Sequence, residues 1–308
     1  MTAKVGQTNS INWRTIPLEQ SLSVNQFFRQ YQAKNCPVVI ENGVPAWKAF
    51  ARWTPEYFAR CYGEKQVIPD SHSHVFYGGG KQGEAFSIRH LVHQVMANNP
   101  TQKPQYLRNM DIYNQFPEIA NDIEPRLPHA LPNWMACRLL PQFVPDGLVE
   151  LFIGGAGAGF PKLHYDTHGS HAYIVQIYGS KDIFAIPPSQ TELLTQVFGD
   201  PEKFSVSAAD PRLGDLEAYK VNLKPGQLLF VPNGWWHTTH MGEPSISIST
   251  NNVNRSNWNA YVAEMVKGRS GLRALARRTA LHGLGLLLTM SGGLMKPLLF
   301  RPYPKAVD

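Results

Sequence analysis

The sequence predicts a mainly β protein, a sandwich or barrel of short strands, with a mixed region ahead of it and helices behind it. Three observations carry that expectation. Through the middle of the chain, runs rich in β-branched and aromatic residues recur at 148–153, 172–178, 183–186, 228–231 and 246–250. Turn formers punctuate them: Gly154-Gly155, Gly179, Pro187-Pro188, Pro225-Gly226 and Pro232-Asn233-Gly234. Glycine and proline are frequent overall, 25 and 24 of 308 residues, which favours many turns over a helical bundle.

The elements ahead of the strands are mixed. Residues 24–33 carry a helical pattern, and Pro37-Val38-Val39-Ile40 is a short apolar strand. Thr54-Pro55-Glu56 reads as a helix start, with a threonine cap, proline at the first helical position and an acid in the first turn. Ser87 is placed to cap a second helix running to about Ala97. After Ser256 the period turns helical, because Trp258, Tyr261, Val262, Met265 and Val266 mark one buried face. We therefore divide the chain into a mixed part over 1–105, a β core over 106–256 and a basic, leucine-rich helical region over 257–308.

Composition narrows the class. Hydrophobic residues make up 43% and charged residues 17%, which suits a folded domain. Cys36, Cys61 and Cys137 lie far apart with no CxxC, so neither a disulfide framework nor a cysteine zinc site is expected. The first ten residues are polar and lack an apolar stretch, so a cytoplasmic location is the expectation. The net charge of +6 is unevenly placed: residues 265–308 hold eight basic side chains against one acid, and the rest holds 21 against 22. A near-neutral body argues against nucleic acid as a partner.

The chemistry-bearing residues begin with His164-Tyr165-Asp166. In a strand, residues i and i+2 share a face, so an imidazole and a carboxylate are expected side by side inside a barrel mouth. A histidine from another strand completes two nitrogens and one carboxylate, leaving three adjacent positions open on an octahedral iron. His237 is the candidate: it follows a turn, an apolar strand, a second turn and two tryptophans, Trp235 and Trp236. His240 is the alternative, and His168 and His171 are expected at a pocket rim or in a loop.

The stretch from Leu163 to Thr250 resembles the JmjC and cupin-like (cupin-8) Fe(II)- and 2-oxoglutarate-dependent oxygenases, among them the asparaginyl hydroxylase of hypoxia-inducible factor. The matching pieces are HYD at 164–166, QIYGSKDIFAIPP at 176–188, PGQLLFVPNGWWH at 225–237 and SISISTN at 245–251, with PVVIENGVPAW and WTPEYFARCYG upstream. The resemblance implies a double-stranded β-helix (jelly-roll) core and a metal held by His164, Asp166 and His237. It makes Lys181 the cation for the distal carboxylate of 2-oxoglutarate. Tyr106 becomes a donor to the same carboxylate, and Asn251, with Asn252 as its rival, a co-substrate-side or substrate-side amide. Pro161 stands where the family often has threonine, and Ala172 where asparagine is common.

The implied reaction converts 2-oxoglutarate and O2 to succinate and CO2 while hydroxylating a C–H bond. A protein or peptide side chain is the leading substrate. A small-molecule substrate, or a non-catalytic metal-binding cupin, is the alternative. The tail combines Arg269, Arg273, Arg277 and Arg278 with a leucine-rich stretch from Thr279 to Met295 in which His282 is the one ionisable side chain, interrupted by glycines. Packing on the core or a homodimer interface is expected of it, with peripheral membrane contact as the sharper alternative.

Overall fold

Residues 13–67, 85–97, 105–140, 148–199, 210–290 and 299–300 are described by a computed structural model. In chain order the strands are β1 (Arg14–Thr15), β2 (Leu18–Glu19), β3 (Val38–Ile40), β4 (Gln66–Val67), β5 (Phe86–Ser87), β6 (Tyr106–Asp111) and β7 (Glu150–Gly154). They continue with β8 (His171–Tyr178), β9 (Lys181–Ile186), β10 (Tyr219–Leu223), β11 (Leu228–Val231), β12 (Trp236–His240) and β13 (Ser245–Asn252). Two sheets carry the architecture, one ordered β1-β10-β9-β12 and the other β2-β3-β11-β8-β13-β7-β6. Pairing is antiparallel except where β1 meets β10 and β2 meets β3.

Side-chain alternation explains the layers. On β8, Ala172 and Ile174 point between the sheets, where they meet Ile183 and Ala185 of the smaller sheet and Leu229 and Val231 of β11. Tyr173, Val175 and Ile177 point the other way, beneath a cover that supplies Phe27, Phe58, Leu91 and Val95. A strand buried on both faces reads as a continuous apolar run rather than as alternation. Each large side chain so buried contributes about 1.5–3 kcal/mol. This two-layered jelly-roll core is the architecture the strand and turn pattern predicts.

The cover is built from α1 (Val24–Phe27, continuing as a π-turn over Phe28–Gln32), α2 (Ala49–Arg52), α3 (Pro55–Tyr62) and α4 (Ile88–Ala97). The caps are where the sequence puts them. Thr54 Oγ1 accepts from the Tyr57 amide at 3.1 Å, and Ser87 Oγ from the His90 amide at 3.1 Å. Short α5 (Ile112–Gln115) and α6 (Thr191–Phe198) fill connections. All three cysteines are free thiols.

The C-terminal region forms α7 (Trp258–Val266) and α8 (Gly271–Met290). Leu281 and Leu288 of α8 are buried with Trp134, Val253, Trp258 and Tyr261. The Trp258 Nε1–H donates to the Leu281 carbonyl at 3.1 Å. Gly285 makes this approach feasible, since a Cβ there would lie 2.2 Å from Trp258 Nε1. Gly283, two residues earlier, faces open space. Gly285→Ala is therefore expected to destabilise by about 1–3 kcal/mol through overpacking. Gly283→Ala should stabilise by up to about 1 kcal/mol through helix propensity. Thermal unfolding of the two variants checks the pair. The expected leucine stretch runs past the described part of α8, and residues 291–295 lie outside the described residues. Among the described residues no helix is long and apolar enough to cross a membrane.

Candidate metal centre

A backbone bridge brings the two histidines together. The His164 amide donates to the His237 carbonyl at 3.1 Å, and the His237 amide returns the bond at 2.6 Å. Their rings face one another with centroids 4.3 Å apart. Asp166, two residues on, joins the same side, and its Oδ2 lies 3.9 Å from His237 Nε2. One ligand atom from each of His164, Asp166 and His237 falls within 4.8 Å of the others, and among the described residues no other group of three does so. His164, Asp166 and His237 form a group that can hold a metal ion.

The tautomers follow from the neighbours. His164 Nδ1 is 3.1 Å from the Lys162 carbonyl and His237 Nδ1 is 3.0 Å from the Trp235 carbonyl. A carbonyl only accepts, so both Nδ1 atoms carry the proton and both Nε2 atoms present lone pairs. Burial, with His237 beside it, holds the His164 imidazole well below its usual range and keeps it neutral. Phe160 stacks on the His164 ring at 4.1 Å. His240 is exposed on β12 and stays out of the group. His168 sits in a half-buried turn with φ 60. His171 departs from the rim-or-loop expectation: it starts β8, is fully buried, and bonds the Asn233 amide and Ser256 Oγ.

The cavity beyond the triad is framed by β13. In Ser-Ile-Ser-Ile-Ser the isoleucines face the outer core, while Ser247, Ser249 and, after Thr250, Asn251 line the cavity. Lys181, the first residue of β9, is 3% exposed and lines it too. Its Nζ donates to Ser247 Oγ at 2.5 Å and to Tyr106 Oη at 3.4 Å. Among the described residues no carboxylate pairs with it, and burial pushes its ammonium down to about 7. Tyr106, on β6, shares this cavity. Asn251 donates to Ser170 Oγ at 3.0 Å. The rival, Asn252, points away and donates to the carbonyls of Ala130 and Pro132, so its amide holds a loop. Trp235 and Trp236 are packing residues outside the cavity, donating to the Asn35 carbonyl and to Thr191 Oγ1.

Two further groups face the cavity that the sequence alone did not single out. Thr239 Oγ1 is buried there with no hydrogen-bond partner among the described residues. It offers the cavity a hydroxyl. Glu150, on β7, is buried and accepts from Asn109 Nδ2 at 3.0 Å. Burial pushes its carboxyl up to about 7; the Asn109 bond opposes this, and the nearby Asp166 and Asp111 add to it. A lone acid in the apolar run Leu148-Val149-Glu150-Leu151-Phe152-Ile153 was the available signal.

The donor set suits iron. Two imidazoles and one carboxylate on one face leave adjacent positions open. A lysine with no carboxylate partner and a hydroxyl with no hydrogen bond, both among the described residues, suit a ligand rich in carboxylate oxygen in the same cavity. The cupin-like domain family model matches residues 24–254. The chain belongs to the cupin-like domain family. Among curated relatives of this cupin-like chain, the Jumonji C domain-containing protein 5 of Drosophila melanogaster is 24% identical over 247 residues, 76% of this chain and 59% of the relative. The human 2-oxoglutarate and iron-dependent oxygenase JMJD4 is 24% identical, covering 77% of this chain and 60% of the relative. The bifunctional arginine demethylase and lysyl-hydroxylase psr-1 of Caenorhabditis elegans is 22% identical, covering 82% and 64%. This cupin-like chain thus spans about three-fifths of the length of these relatives.

Proposed function

We propose that the chain is an Fe(II)- and 2-oxoglutarate-dependent oxygenase that hydroxylates a side chain of a protein or peptide. One observation carries the reading: three ligand atoms within 4.8 Å share a cavity with a buried lysine that has no carboxylate partner among the described residues. The relative named as 2-oxoglutarate- and iron-dependent supports it, and the relative named as a lysyl-hydroxylase supports a polypeptide substrate.

The roles follow from the chemistry of each group. His164 and His237 offer Nε2 lone pairs and Asp166 an anionic oxygen, so together they hold Fe(II). Lys181, with Tyr106 and Ser247 at its ammonium, takes the distal carboxylate of 2-oxoglutarate. Thr239 adds a hydroxyl, and Asn251 offers an amide at the other end of β13. When bound, the iron and 2-oxoglutarate pair supplies the oxidising power, with O2 consumed and succinate and CO2 released. One oxygen atom enters the substrate C–H bond and the other enters succinate. The apolar walls, Phe152, Phe160 and Ile174, keep water away from the reacting bond.

The relative named as an arginine demethylase favours a second reading, in which the same oxidation falls on an N-methyl group and the product sheds formaldehyde. One experiment separates the readings. Full-length protein is incubated with Fe(II), 2-oxoglutarate and cell extract, and succinate, peptide masses and formaldehyde are followed. Succinate together with one added oxygen on a peptide is the expected result. Methyl loss with formaldehyde selects demethylation, and oxygen gain confined to metabolites selects a small-molecule substrate. No 2-oxoglutarate consumption would leave a metal-binding cupin without this activity.

A further inference from the structure

Glu150 is a buried acid that the roles above do not use, and its surroundings are specific. It shares the cavity with the triad, Lys181 and Asn109. It accepts one hydrogen bond, from Asn109 Nδ2, and among the described residues no cation pairs with it. Among the described residues no second hydrogen bond to its carboxyl is found, and the residue lines the cavity. Asn109 is held for this contact at some conformational cost. It adopts φ 53 at the irregularity of β6 between Leu107 and Met110. A bulge of this kind re-aims a side chain, and a non-glycine residue in the left-handed region is uncommon.

The register says which end of the cavity Glu150 serves. On β13, Ser247 touches Lys181, and Ser249 stands opposite Glu150. Those two serines are one pleat repeat apart, about 7 Å. The displacement runs toward Asn251 and Ala172. Along β9 the same direction leads from Lys181 to Ala185, which is opposite His237. Glu150 thus stands away from the lysine end and toward the metal end. A carboxylate there repels a dicarboxylate co-substrate and attracts a cation. Buried with a single amide donor, it is costly until a positive charge joins it.

We propose that Glu150, steadied by Asn109, reads the substrate and selects a basic side chain, an ammonium or a guanidinium, for oxidation. This rests on the oxygenase reading above. Lys181 takes the anionic co-substrate at one end of the cavity, and Glu150 takes the cationic substrate group nearer the metal. Phe152 and Ile174 line the same cavity and offer apolar surface to the stem of such a side chain.

The test uses pentapeptides with a central lysine, arginine, norleucine or citrulline, and full-length protein loaded with Mn(II) and 2-oxoglutarate. Binding is read by calorimetry, and succinate formation is read separately with Fe(II). The lysine or arginine peptide is expected to bind roughly tenfold or more tightly than its neutral counterpart. Glu150→Gln should erase that preference while Mn(II) uptake and 2-oxoglutarate binding persist, and Glu150→Asp should retain part of it. Equal binding of basic and neutral peptides overturns the proposal, as does a preference that survives Glu150→Gln. Should Glu150→Gln lose its metal uptake, Asn109→Ser takes its place, and an unchanged preference in that variant overturns the proposal equally. A Glu150-dependent preference in a protein that forms no succinate would sink the oxygenase reading and leave only the binding selectivity of Glu150, without the oxidation.

Discussion

Replacing His237 by alanine is expected to abolish 2-oxoglutarate-dependent succinate formation while the protein remains folded. The imidazole supplies one of three converging ligand atoms, and its backbone, not its ring, makes the bridge to His164. Loss of a group that merely supports a metal ligand costs about 10- to 100-fold in affinity or activity, so loss of a ligand should reach at least the upper end. Asp166→Ala should behave alike, because a neutral pair of imidazoles is a weaker site for a divalent ion. Metal content after dialysis, succinate by mass spectrometry and a thermal melt together decide it. Full turnover in His237→Ala would sink the triad.

Lys181→Met is the second large effect. Methionine keeps much of the stem and deletes the charge at a site that is 3% exposed. Loss of one partner of a buried charge pair costs about 2–5 kcal/mol, so the KM for 2-oxoglutarate should rise about 30-fold or more with metal binding retained. The reaction should also respond to pH in a stated direction. Burial brings the free ammonium down to about 7, whereas the carboxylate binds only the protonated form. Below that value the site is already charged; above it, binding must draw a proton from solution. The KM for 2-oxoglutarate should therefore rise as pH climbs from about 7 toward about 9, and the Lys181→Met variant should lack that slope. An unchanged KM in the variant would show that another cation anchors the co-substrate.

The elements legible in the sequence were those whose burial pattern leaves a periodic trace. The β8 and β11 runs are buried on both faces and mostly apolar, α7 repeats its buried face, and Thr54 and Ser87 announce their helices with caps. The strands that escaped notice carry polar groups for local reasons. The β6 strand holds Arg108 and Asn109 at its irregularity, β10 alternates as Tyr-Lys-Val-Asn-Leu between β1 and β9, and β12 is largely His and Thr. The six site residues read from the sequence converge on one cavity: Tyr106, Lys181, His237 and Asn251 lie on strands, while His164 and Asp166 sit on the segment that the His164–His237 bridge ties to β12. Glu150 and Thr239 did not stand out. Their importance depends on which neighbours they lack, and that is a property of three dimensions rather than of spacing.

The reciprocal bond pair between His164 and His237 bears on how the centre is assembled. Two of the three ligands are tied to one another by main-chain bonds in which the metal takes no part. An incoming ion therefore has little chain left to order, and most of its coordination energy remains as affinity instead of being consumed in closing a loop. The centre differs in this from small zinc modules, where the ion organises the chain and its removal unfolds it. Chelation should empty this site without dismantling the jelly-roll around it. The two histidine amides, each locked to the other's carbonyl, should then exchange their hydrogens only when β12 parts from the segment carrying His164.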